Sequence, residues 1–202
     1  MKSAAEALEL LKKGNKEFVA GILSHDALAE SRRPEQAKEK LPFAIILGCS
    51  DSRVPAEIVF NQGLGDLFVI RVAGNIVAPS QVGSVEFAAE RFGTRLVVVL
   101  GHTMCGAIAA TLEELQRPSE HQSPNLRSIV DRVRPSVAGL LKTELRNNTV
   151  ELSRQAVRAN VAVSVGQLSH GSEILERLIQ SEGLVIVGAE YSVDTGKVEF
   201  FD

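Results

Sequence analysis

Two short stretches hold the side chains best equipped for chemistry: Gly48-Cys49-Ser50-Asp51-Ser52-Arg53 and Gly101-His102-Thr103-Met104-Cys105-Gly106. They contain the only 2 cysteines of the chain. Thiolate, imidazole and carboxylate are the donor types of tetrahedral zinc sites, and soft thiolates favour zinc over magnesium or calcium. Cys49, His102 and Cys105 supply three such donors and Asp51 a fourth. In an extended turn, Cys49 and Asp51 at i and i+2 point the same way; at the entry to a helix, His102 and Cys105 at i and i+3 share a face. Either cysteine alone reads as a small buried hydrophobe. Both together, in matched loops beside His and Asp, read as one metal site.

The elements that must position these loops are legible. Each loop follows a short apolar run, 43–48 and 95–101, rich in β-branched residues and closed by glycine. Such runs suit parallel strands covered on both faces. Loops at the carboxyl ends of those strands are where open α/β sheets place ligands. Further strands are expected at 67–71, 184–189 and 197–201. Helices are expected at 3–22 with Ser3 and Glu6 as a capping box, in a short turn after Pro55, and at 80–92, 106–116, 125–147 and 149–169, with a last one ending at Glu182. Residues 23–41 read as a polar arm with one short helix, suited equally to wrapping a partner subunit or to lying in solvent. The expected fold is α/β: a mostly parallel central sheet of about four strands plus a C-terminal antiparallel strand, with helices on both faces. It is read as a single domain over 1–202, a helical arm (1–41) preceding an α/β core (42–202).

Cys49-Ser50-Asp51-Ser52-Arg53 followed by His102-x-x-Cys105-Gly106 resembles the β-class carbonic anhydrase family. Gly63-Leu64-Gly65-Asp66-Leu67-Phe68 and Arg71-Val72-Ala73-Gly74-Asn75 match its pattern too. The resemblance implies one zinc ion per subunit, held by Cys49, Asp51, His102 and Cys105, and reversible hydration of CO2 to bicarbonate by zinc-bound hydroxide. It also implies a homodimer or homotetramer with active sites at the subunit seam. Phe68 matches an apolar wall residue of the substrate pocket, Phe87 stands where some members have Tyr, and the Gly106 amide, opening a helix, can donate to an anion. A regulated subgroup carries a bicarbonate site built on Trp, Arg and Tyr. Arg71 and Tyr191 match two of these, but Ile46 replaces the Trp, which favours the constitutively open type.

Charge counting adds a mechanism. Two thiolates and a neutral imidazole neutralise zinc, and Asp51 as fourth ligand would close the site, whereas catalytic zinc keeps a position open. Asp51 therefore needs another partner, and Arg53 offers a bidentate fork. Asp51 and Arg53 are read as a dyad that gates the metal and orients its water.

Bulk properties exclude other classes. A net charge of −3 with scattered basic residues gives no reason to expect nucleic acid. No apolar run is long enough to span a bilayer, and the start lacks the apolar block of a secretion signal. The cytoplasm is the expected compartment. Two distant cysteines with no C-x-x-C argue against a disulfide framework. Gly63-Leu64-Gly65 lacks dinucleotide-binding spacing and precedes a strand rather than a helix. Two readings compete with CO2 hydration: the same site acting on carbonyl sulfide or carbon disulfide, and a metal-closed structural or sensor domain.

Overall fold

The computed structural model describes residues 2–22, 41–118 and 123–201. Helix α1 spans Ala4–Val19, and its start is the expected capping box: the Ser3 hydroxyl accepts from the Glu6 amide while the Glu6 carboxylate accepts from the Ser3 amide. Strands β1 (Ala44–Gly48), β2 (Leu67–Arg71), β3 (Leu96–His102), β4 (Val185–Tyr191) and β5 (Val198–Phe201) form one sheet in the order β2-β1-β3-β4-β5. The first four are parallel and β5 is antiparallel to β4. The remaining helices are α2 (Ala56–Val59), α3 (Pro79–Arg91), α4 (Gly106–Gln116), α5 (Pro124–Val137), α6 (Thr149–His170) and α7 (Glu173–Ser181).

Both expected site strands lie at the centre of the sheet and are buried along their whole length. Alternation sends Ile46, Val98 and Leu100 toward the core shared with α1 and α2. Ile45, Leu47, Val97 and Val99 face the opposite core, shared with α3, α6 and α7. The chain leaves β1 for β2 on one side and reaches β3 on the other. This order makes the β1/β3 junction the topological switch point, where a crevice opens beyond the strand ends. Cys49 follows β1 there, and His102 closes β3.

Several boundaries differ from expectation. The helix expected over 125–147 ends at Val137 and is followed by two 3-10 turns, Leu140–Lys142 and Glu144–Asn147. The break falls at Thr143, whose backbone is extended (φ −105°, ψ 174°) and whose hydroxyl caps the Leu145 amide, so local side-chain bonding competes with the helix. Strand β3 runs one residue further than expected, making His102 its last residue rather than part of the loop. Strand β4 likewise extends through Tyr191, held in register with His102. The arm expected over 23–41 lies outside the described residues except for Leu41. Among the described residues no helix is long and apolar enough to cross a membrane.

Candidate metal centre

Three side chains meet beyond β1 and β3. Cys49, His102 and Cys105 are 5%, 0% and 2% exposed, and their donor atoms all lie within 4.8 Å of one another. The two sulfurs are 4.0 Å apart. Two zinc–sulfur bonds of about 2.3 Å at a tetrahedral angle would set sulfurs roughly 3.8 Å apart. Around them pack Ile76, Ile108, Leu112, Val133, Ala156 and Val157, an apolar shell.

Local structure aims each donor. Cys105 sits at the N-cap of α4, with the amides of Ala107 and Ile108 turned toward its sulfur. Met104 is left-handed (φ 57°), which turns the chain from the end of β3 into that helix start. His102 Nδ1 lies 2.9 Å from the Thr103 carbonyl, which selects the tautomer carrying its proton on Nδ1. Nε2 then presents a lone pair, is buried, and has no hydrogen-bond partner among the described residues. A buried acceptor without a partner is costly, and a cation satisfies it. The Gly74 amide donates to Cys49 Sγ at 3.3 Å.

The sulfurs share a proton. A hydrogen bond from Cys105 draws the Cys49 thiol well below its ordinary range, against the opposing effect of burial, and the same bond pushes Cys105 up. Burial would lower the His102 imidazole, but the neighbouring Cys49 sulfur and the Thr103 carbonyl outweigh that and raise it. A soft divalent cation bound here would displace the thiol protons. The donor set and its spacing fit zinc.

Asp51 does not join this group. Arg53 takes its carboxylate in a fork, Nε to Oδ1 at 2.9 Å and Nη2 to Oδ2 at 2.8 Å, and the Arg53 amide adds a third bond to Oδ1 at 3.0 Å. These bonds hold the carboxyl well below the usual carboxylate range. Oδ2 nevertheless stays 3.9 Å from His102 Nε2, at the rim of the centre. Arg53 Nη2 also donates to the Met104 carbonyl at 3.2 Å, tying the two loops together. Arg71, at the end of β2, donates through Nε to the Cys49 carbonyl at 3.0 Å and through Nη2 to the Asp51 carbonyl.

Gly106 is exposed and opens α4 beside Cys105. Phe68 and Phe87 are not part of the packing around the sulfurs. They form an aromatic group with Phe92, with ring centroids 5.5 to 6.3 Å apart, on the β2–α3 side of the sheet. Ile46 packs on the opposite face with Tyr191. Sequence reasoning assigned no task to Gly74 or to the carbonyls of Thr103 and Met104. Backbone groups carry no residue signature, and the sequence showed here only that Arg71-Val72-Ala73-Gly74-Asn75 matches the family pattern.

Comparison with known proteins identifies the family of the chain. A family model for carbonic anhydrase matches residues 44–198. A carbonic anhydrase of Mycolicibacterium smegmatis is 39% identical over 198 residues, covering 96% of this chain and 91% of its own. The β-carbonic anhydrase CafA of Aspergillus fumigatus superposes with a TM-score of 0.74 at 26% identity, over 98% of this chain and 90% of its own. One of two tetrameric β-carbonic anhydrases from Sordaria macrospora shares the fold at a TM-score of 0.73 and 23% identity, covering 97% of each chain. The chain belongs to the β-class carbonic anhydrase family and is an enzyme of that kind.

Proposed function

We propose that this chain catalyses reversible hydration of CO2 to bicarbonate and a proton, with one zinc ion per subunit held by Cys49, His102 and Cys105. The observation that carries this is the buried three-donor group, with Asp51 drawn aside by Arg53 so that a fourth position stays free. When bound, zinc supplies the Lewis acidity that lets water ionise in the neutral range. The Asp51 carboxylate, kept ionised by Arg53, accepts a hydrogen bond from the reacting water and turns its lone pair toward CO2. If the Arg53 fork opens, Asp51 becomes a fourth donor and closes the site. Arg53 is therefore the gate, and its reach to the Met104 carbonyl keeps the gate aligned with the His102 loop.

Gly106 offers an amide at the mouth of α4 for the anionic product. Phe68 and Phe87 form an apolar wall for the site of a neighbouring subunit. The exposure of Phe87, at 53%, and the absence of both rings from the packing around this subunit's sulfurs support that assignment. Such sharing requires a homodimer or homotetramer. The proposed compartment is the cytoplasm.

Stopped-flow hydration of CO2 by zinc-loaded protein tests the reading, with carbonyl sulfide turnover measured in parallel. CO2 hydration well above the uncatalysed rate is expected. Faster hydrolysis of carbonyl sulfide would reassign the substrate. Stoichiometric zinc without hydration anywhere between about pH 6 and 9 would leave a structural metal domain.

A further inference from the structure

Helix α6 buries a mostly apolar face of Leu152, Ala156, Val157, Val161 and Leu168, yet Asn160 sits within it at 2% exposure. A buried amide costs stability unless its groups are bonded. Asn160 Nδ2 donates to the Gly74 carbonyl at 2.8 Å, and Oδ1 accepts from Ser136 Oγ of α5 at 3.3 Å. One turn further, Ser164 Oγ donates to the Asn75 carbonyl at 3.1 Å. Gly74 and Asn75 are consecutive left-handed residues, at φ 70° and 43°. Asn tolerates that region better than most residues, and the Asn75 amide closes the turn on the Val72 carbonyl at 3.0 Å. Helix α6 clamps both carbonyls of this turn, and the other end of it is the Gly74 amide, 3.3 Å from Cys49 Sγ.

We propose that Asn160 is a positioning residue of the metal centre. By holding the Gly74 carbonyl it aims the Gly74 amide at the Cys49 sulfur, and so sets how much charge that sulfur gives a bound cation. Asn160 touches no donor; its effect passes through one glycine. An N–H bond to a thiolate withdraws electron density from the sulfur, one of the ways groups behind the ligands tune a metal. The assignment rests on the metal reading of Cys49 given above.

The test uses the full chain loaded with cobalt(II) in place of zinc, whose sulfur-to-metal absorption reports charge on the thiolates. In Asn160→Leu the sulfur loses its aligned donor and gives the cation more charge, so the band moves to longer wavelength; with the Cys49 side less firmly oriented, zinc affinity falls about 10-fold. Leu168→Ala loosens the packing of the same helix against the opposite core, away from the sulfurs, without removing a hydrogen bond. It should lower the melting temperature and leave the band in place. A band at the wild-type wavelength in folded Asn160→Leu overturns the proposal, as does an equal shift in Leu168→Ala. Should Asn160→Leu not fold, Asn160→Asp decides: similar in size, it sets a carboxylate against the Gly74 carbonyl, and an unshifted band there overturns the proposal equally. Wild-type protein that takes up neither cobalt nor zinc would instead remove the metal reading itself.

Discussion

Arg53 grips Asp51 through both arms of its guanidinium while a further bond from the same Nη2 reaches the Met104 carbonyl across the crevice. A side chain of one loop is thus held by the backbone of the other. Arg53→Ala should leave zinc bound and lower kcat roughly 10- to 100-fold, the usual range for losing a group behind a metal site. Arg53→Lys should not restore it, because an ammonium cannot make the parallel fork. Steady-state hydration kinetics with metal analysis on the same samples checks both. Wild-type turnover in Arg53→Ala would end the gating assignment.

Cys49→Ser and His102→Ala should each purify with far less than stoichiometric zinc. Each removes one of three converging donors, and the nearby Asp51 carboxylate is engaged by Arg53. Elemental analysis after dialysis against a weak chelator is the measurement. Full retention of zinc by Cys49→Ser would show that Cys49 is not a ligand.

Glu190, on β4, is buried, with Oε2 2.9 Å from Arg158 Nε, and Arg158 Nη2 reaches Glu199 at 2.7 Å. Burial raises the Glu190 carboxyl above its ordinary value, with Arg158 opposing in part. The native state therefore holds this proton more tightly than the unfolded chain, where Glu titrates near about 4.3. Where the native state binds more protons, stability falls as pH rises. Glu190 should thus cost the protein stability as pH climbs from about 4.3 through the raised value, and nothing further above it. Urea unfolding from pH 4 to 7 should show a steeper fall for wild type than for Glu190→Gln. Parallel curves would contradict the raised value.

Gly101 precedes His102 in β3 and lies under α6. A Cβ there would stand 2.6 Å from a Val161 methyl and 3.2 Å from one of Val157. Gly101→Ala should cost about 1–3 kcal/mol by overpacking and should weaken zinc binding, because α6 and His102 cannot both keep their places. Denaturant midpoints and zinc competition measure the two effects. An unchanged midpoint would mean that the helix yields freely.

Phe87 projects from α3 with half its surface exposed, beside Phe68 and Phe92. Phe87→Lys should shift sedimentation toward a smaller species and reduce turnover together with it. Loss of turnover with unchanged mass would place the residue in its own subunit's site instead.

Much of this was readable from the chain. The central strands declared themselves because a strand covered on both faces must be apolar throughout, as Ile45–Leu47 and Val97–Leu100 are. The α1 start was legible because Ser3 and Glu6 bond locally. The helix break at Thr143 was hidden, because apolar spacing on either side continues while one residue turns extended. The partner of Gly74 was hidden for a different reason: Asn160 lies 86 residues away in sequence.

The sequence alone determined the donor types, the strands that carry them and the family pattern, since residue chemistry and hydrophobic period are local properties. Only the tertiary structure decided that Cys49, His102 and Cys105 converge while Asp51 turns to Arg53, and that α6 holds the turn facing Cys49. Those are distances between segments far apart along the chain, set by how the sheet orders its strands and by which helix packs over their ends.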